Sequence, residues 1–94
     1  MKSKMRIEDG EEVWRNFLGK LHREDGPAVI DANGTKAFYI DGRLHNDFGP
    51  ALQNVEEGLF QFFLNGKWLS FEDFIKTRVG WTDAQKVEFY LKWK

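Results

Sequence analysis

Gly19-Lys20-Leu21-His22-Arg23-Glu24-Asp25-Gly26-Pro27-Ala28 is answered, 23 residues further on, by Gly42-Arg43-Leu44-His45-Asn46-Asp47-Phe48-Gly49-Pro50-Ala51. Glycine, leucine, histidine and the Gly-Pro-Ala ending recur, a basic residue matches a basic one at Lys20 and Arg43, and an acid faces an acid at Glu24 and Asp47. Self-similarity at a fixed period marks a repeat architecture, in which each copy is one supersecondary unit that needs its neighbours to bury a face.

The repeat extends beyond this most legible part. Asp31-Ala32-Asn33-Gly34 followed by Phe38-Tyr39-Ile40-Asp41-Gly42 is matched by Asn54-Val55-Glu56-Glu57-Gly58 followed by Phe62-Phe63-Leu64-Asn65-Gly66. The same outline stands at the start, as Ile7-Glu8-Asp9-Gly10 and then Asn16-Phe17-Leu18-Gly19, so the chain carries three copies. Asp9-Gly10 and Asn33-Gly34 tolerate positive φ at both turn positions and are strong hairpin signals. The pattern predicts hairpins over residues 4–18, 28–41 and 51–65. In each, the strand after the turn is the more apolar: Val13-Trp14 with Phe17, Phe38-Tyr39-Ile40, and Phe60 with Phe62-Phe63-Leu64. Pro27 and Pro50 lack an N–H and hold the preceding residue extended, so both Gly-Pro steps should redirect the chain into the next strand.

The third copy leaves the motif at Trp68-Leu69 and turns to helical spacing. Ser70 with Asp73 three residues on reads as a helix start, with Phe71, Phe74 and Ile75 on one face and Val79-Gly80 as the stop. Thr82 with Gln85 repeats the capping pattern, and Ala84, Val87 and Leu91 line a second helix. The expected fold is α+β: an antiparallel sheet of about three stacked repeat hairpins followed by two short C-terminal helices. It forms a single domain over 1–94, with the repeats at 4–69 and a helical cap at 70–94.

At 94 residues the chain buries only roughly 60 to 65% of the surface its unfolded form exposes. Nine Phe, four Trp and two Tyr partly offset that, each ring being able to bury on the order of 150 to 250 Å². The absence of cysteine excludes a disulfide framework, a thiolate metal site and a cysteine nucleophile. A chain without cysteine fits a reducing, cytoplasmic setting, and no apolar run approaches the ~20 residues that span a bilayer, so no membrane is expected. A net charge of −1 argues against a nucleic-acid binder whose affinity comes from neutralised phosphates. The basic excess of residues 76–94 reads as a solvated helix face.

Leu21-His22-Arg23-Glu24-Asp25-Gly26-Pro27-Ala28 resembles the LHREDGPA repeat, a relative of MORN repeats that recurs in proteins of bacteriophages, large DNA viruses and some bacteria. The element that usually precedes it, aromatic-x-Asn/Asp-Gly-Lys/Arg, is present at Tyr39–Arg43 and Phe63–Lys67. The resemblance covers roughly residues 13 to 70. It implies a stack of β-hairpins in an interaction or accessory protein, with no shared catalytic activity. The second copy departs from it, with Asn46 and Phe48 where Arg and Asp are expected.

Two constellations carry chemistry. His22 and His45 share a repeat position beside Glu24 and Asp47, and two imidazoles with two carboxylates suit a divalent metal or acid-base work. The structural alternative is that each histidine braces its own connector. Arg23 and Arg43, with His22 and His45, form the candidate ligand site, since basic groups beside turn amides can gather the phosphates of a nucleotide. Ion pairing of Arg23 with Glu24 or Asp25 is the competing role. In the last helix Phe89, Tyr90 and Trp93 fall away from the Ala84, Val87, Leu91 face and are the candidate partner or dimer surface, burial within the chain being the competing role. No phosphate-binding glycine loop or activated nucleophile is present in the sequence. The expected function is non-catalytic and cofactor-free, and the resemblance implies an accessory protein of bacteriophage type, expected to bind or inhibit a host protein. The alternatives are a nucleotide-sequestering protein and a self-associating structural subunit.

Overall fold

The computed structural model describes residues 3–93. Nine strands precede two helices: β1 (Ser3–Glu8), β2 (Glu11–Asn16), β3 (Val29–Ile30), β4 (Lys36–Ala37), β5 (Tyr39–Ile40), β6 (Arg43–Leu44), β7 (Leu52–Asn54), β8 (Leu59–Leu64), β9 (Lys67–Leu69), α1 (Phe71–Thr77) and α2 (Asp83–Trp93). Seven strands form one antiparallel sheet in the order β1-β2-β3-β4-β7-β8-β9, and β5 and β6 pair apart from it. This is the expected α+β fold, a meander of hairpins closed by two helices.

The three expected hairpins are β1-β2, β3-β4 and β7-β8, but the second strand of a unit does not simply end at its closing glycine. Asp41-Gly42 and Asn65-Gly66 turn the chain into β5-β6 and β8-β9, so each of these sites is itself a hairpin. At Asp9-Gly10, Asp41-Gly42 and Asn65-Gly66 both central residues have positive φ, the type I′ signature whose twist matches that of paired strands. Asn33-Gly34 departs from expectation, because only Gly34 enters the positive region. There Asp31 Oδ1 accepts from the N–H groups of Asn33 and Thr35, and this Asx geometry replaces the tight two-residue turn. Phe17, expected on a strand, lies in the turn after β2 and is exposed.

Gly42 has φ of 81°, and a Cβ added there would meet only Lys20 at ordinary contact distance. Strain rather than collision therefore governs substitution. Gly42→Ala is expected to cost about 1–2 kcal/mol and Gly42→Asn less, read as shifts in the urea midpoint.

Each connector is zipped between two units. His22 N–H donates to Trp14 C=O, Arg23 N–H to Tyr39 C=O, and Gly42 N–H to Leu21 C=O. The second connector repeats the scheme: His45 N–H to Phe38, Asn46 N–H to Phe63, and Gly66 N–H to Leu44. The alanines that end the connectors, Ala28 and Ala51, are fully buried, with N–H groups bonded to Ala37 and Gln61 C=O. A larger side chain has no room at either crossing.

The main core lies at the C-terminal end, where Phe62 of β8 meets Phe74 of α1 and Phe89 of α2. Leu64, Leu69, Phe71, Ile75, Trp81 and Trp93 pack around them. Ser70 caps α1 by accepting from Asp73 N–H, while Thr82 and Gln85 exchange two hydrogen bonds as a capping box at α2. On α2 Phe89 and Trp93 point inward, the burial that competed with a partner surface, whereas Ala84, Val87 and Leu91, expected to line the helix, are exposed. Aromatic rings from β8 and α1 select the larger side chains of α2 as the better complement. Among the described residues, no helix is long and apolar enough to cross a membrane.

Candidate functional site

Histidine 22 is only 2% exposed, and its Nδ1 accepts a hydrogen bond of 3.0 Å from Asp41 N–H. His45 Nδ1 accepts likewise from Asn65 N–H at 2.9 Å. Each imidazole therefore holds the type I′ turn of the next unit. Acceptance at Nδ1 assigns the proton to Nε2 in the neutral ring, an assignment made from the hydrogen-bond network. In the second copy Nε2 faces Asp47 Oδ2 at 3.0 Å; in the first it stands 3.7 Å from Glu24 Oε1, too long for a hydrogen bond. Among the described residues no group of three or more acidic, histidine or cysteine side chains is arranged to hold a metal ion.

Arg23 is also held by its own connector. Its Nε donates to Asp25 at 2.8 Å, its Nη1 to Pro27 C=O at 3.3 Å, and its guanidinium carbon lies 4.1 Å from the Trp14 ring centre. The Arg23 hydrogen bond, then its charge, hold the Asp25 carboxyl below the usual carboxylate range. Gly26 is the seat of this guanidinium, for a Cβ there would lie 3.0 Å from its carbon.

The second copy does the same work with different residues. Asn46 Nδ2 donates to Pro50 C=O as Arg23 does to Pro27, but the shorter side chain leaves the space over Gly49 vacant for another group. The Trp93 indole of α2 takes it, 3.4 Å from where a Gly49 Cβ would stand and 5.5 Å from the Phe60 ring centre. Arg78, just after α1, donates to Asp47 C=O and its carboxylate. Burial raises the Asp47 carboxyl, but the His45 hydrogen bond and charge, with those of Arg78, outweigh it and hold the group below its ordinary value. Asn46, in place of the Arg23 of the first copy, thus leaves room over Gly49 for the indole of the helical cap.

Between the two connectors and the end of α2 runs a groove of about 630 Å³, bordered by Arg23, Phe38, His45, Phe48, Lys92 and Trp93. A smaller hollow of about 290 Å³ beside Trp81 and Gln85 shares Phe48, Lys92 and Trp93 with it. Phe48 stands at their junction and is 80% exposed, at the position where the first copy has Asp25 bonded to Arg23. With no cation at position 46, an acid at 48 has no partner to serve, and a phenyl ring projects instead.

The four expected ligand residues do not converge. Arg23 and His45 meet in this groove, His22 lies beneath the surface, and Arg43 extends over Gly66, 3.7 Å from a Cβ built there. Of the three expected partner residues, Phe89 is buried in the aromatic core, Trp93 is partly buried on Gly49, and Tyr90 is half-exposed with its ring edge-on to Phe71. Burial of Phe89 removes it from any docking surface. Sequence reasoning passed over Phe48 and Lys92 as site residues, although Phe48 was visible as a break in the repeat. Comparison of the chain with protein-family models, with curated proteins and with solved structures gave no match.

Proposed function

We propose that this chain is a non-catalytic protein-binding module whose recognition surface is the groove at Phe48. The observation that carries the proposal is a large aromatic side chain left 80% exposed where the other copy keeps an acid, between two hollows walled by Trp93 and Lys92. Protein interfaces concentrate their energy in such rings, set in pockets that a partner can close over. The residues with catalytic potential are already committed, His22 and His45 to turns and Arg23 to its connector. Glu24, Asp25 and Asp47 border the groove as well, a poor setting for a phosphate and a better one for a partner that brings an apolar side chain with a basic neighbour. The resemblance of the connectors to a repeat found in bacteriophage proteins supplies the partner's expected origin, a host protein that this module occupies or inhibits.

Phe48→Ser tests the proposal without touching the core. Wild-type and variant chains, immobilised at equal density, are exposed to bacterial lysate, and bound proteins and released small molecules are quantified by mass spectrometry. One near-stoichiometric protein should be retained by the wild type and fall about tenfold or more with Phe48→Ser, the loss expected of an interface anchor. The two chains should melt within about 2 °C of one another, since the change is on the surface. Equal retention by both chains, or release of a nucleotide with no protein partner, overturns the proposal.

A further inference from the structure

At the opposite end of the sheet β1 is an edge: it pairs with β2 over all six residues, and among the described residues no strand lies on its other side. The direction of its backbone groups follows from β2. Trp14 N–H and C=O are bonded to Ala28 and His22, on the side away from β1. Met5, opposite Trp14, therefore sits in a non-hydrogen-bonded pair, and by alternation Ser3, Met5 and Ile7 aim N–H and C=O outward from the sheet. Lys4, Arg6 and Glu8 face β2 with theirs.

The side chains of this edge divide cleanly. Lys4, Arg6 and Glu8 share a face with Val13 and Arg15, and with Phe17 they line a groove of about 830 Å³. Glu8 is paired with Arg15 at 3.1 Å, which leaves Lys4 and Arg6 as the cations along the edge. On the other face Met5 and Ile7 are 43% and 65% exposed. An edge so long, with apolar groups on one face and cations on the other, is a template for one more strand.

We propose that β1 is a second binding site, distinct from the groove at Phe48, which takes an extended acidic peptide segment of a partner as an added β-strand. Alternate residues of that segment lie beside Lys4 and Arg6, where carboxylates are favoured, and the intervening ones beside Met5 and Ile7, where apolar side chains are favoured. The same cations disfavour a second copy of this chain. In the antiparallel register centred on Met5, Lys4 meets Arg6 twice, and like charges directly opposite destabilise pairing; in the register centred on Arg6 the two Arg6 side chains oppose one another, and the Glu8 that would face Lys4 is already paired with Arg15.

The test uses the full chain and three fluorescein-labelled octapeptides: alternating Glu and Val, alternating Lys and Val, and the Glu-Val peptide N-methylated on alternate amides. Anisotropy should show saturable binding of the first peptide only, weakened about tenfold or more in Lys4→Glu/Arg6→Glu and by raised salt. Amide hydrogen exchange should slow at Met5 and Ile7 on binding, while Lys4 and Arg6, already bonded to β2, change little. Circular dichroism confirms that the double variant keeps its fold; if it does not, the N-methylated peptide and the exchange pattern decide alone. Equal binding of the Lys-Val peptide, undiminished binding of the N-methylated one, competition by millimolar inorganic phosphate with no protection at Met5 and Ile7, or a dimer formed through β1 each overturns the proposal.

Discussion

Phe74→Ala should lower the unfolding free energy by roughly 3–5 kcal/mol, the cost of deleting a buried phenyl ring from a close-packed site. Phe74 is fully buried, its ring parallel to that of Phe89 at 5.5 Å and tilted against Phe62 at 5.0 Å. The three rings come from α1, α2 and β8, so the cavity opens where all the C-terminal elements meet. A domain of this length is stabilised by only about 5–14 kcal/mol, and the variant should melt some 15 °C or more below the wild type. Phe89→Ala should act similarly, and the double variant should lose less than the sum because the two rings support each other. A loss below about 1 kcal/mol in urea denaturation would mean that the helices do not pack on β8 as described.

His22→Ala comes next, at roughly 2–4 kcal/mol, because it removes a buried ring together with the acceptor for a backbone N–H. His22→Phe separates the two contributions: the volume is retained and the bond to Asp41 N–H is lost. His45→Ala should cost less, since that side chain is 18% exposed and water can reach the N–H it leaves behind. Nitrogen chemical shifts of the two imidazoles should report the Nε2–H tautomer. A metal-binding role would instead appear as a rise in melting temperature with zinc that both alanine substitutions abolish.

The repeat, the Asp9-Gly10 turn and both helix starts were legible because each rests on local chemistry, whereas Asn33-Gly34 gave way to the Asx turn of Asp31. Asp9-Gly10 and the Ser70 and Thr82 caps need only their own neighbours. What Asp41-Gly42 and Asn65-Gly66 do was harder to read, since a hairpin turn and the end of a unit look alike in sequence. The histidines were recognisable as equivalent, yet their acceptors' partners lie 19 and 20 residues away, beyond any local pattern. The face of α2 was misread for a related reason: the helix is apolar on two sides, and only rings supplied by β8 and α1 decide which side turns inward. Phe48 needed the opposite sort of attention, as a residue whose meaning lies in breaking the rule its neighbours keep.

Each imidazole reaches forward, from its own connector to the turn that follows, while the backbone N–H of the same residue reaches back to the strand before it. The unit therefore has a grammar with a direction: a duplicated segment inserted ahead of the cap brings both a histidine for the next turn and a turn for the previous histidine. Such a chain can lengthen by whole copies placed ahead of the second connector, which keeps its own contacts with the cap through Asp47 and Gly49. The last copy ends the sentence by changing its vocabulary, with Trp68 in place of leucine and a helix in place of another strand.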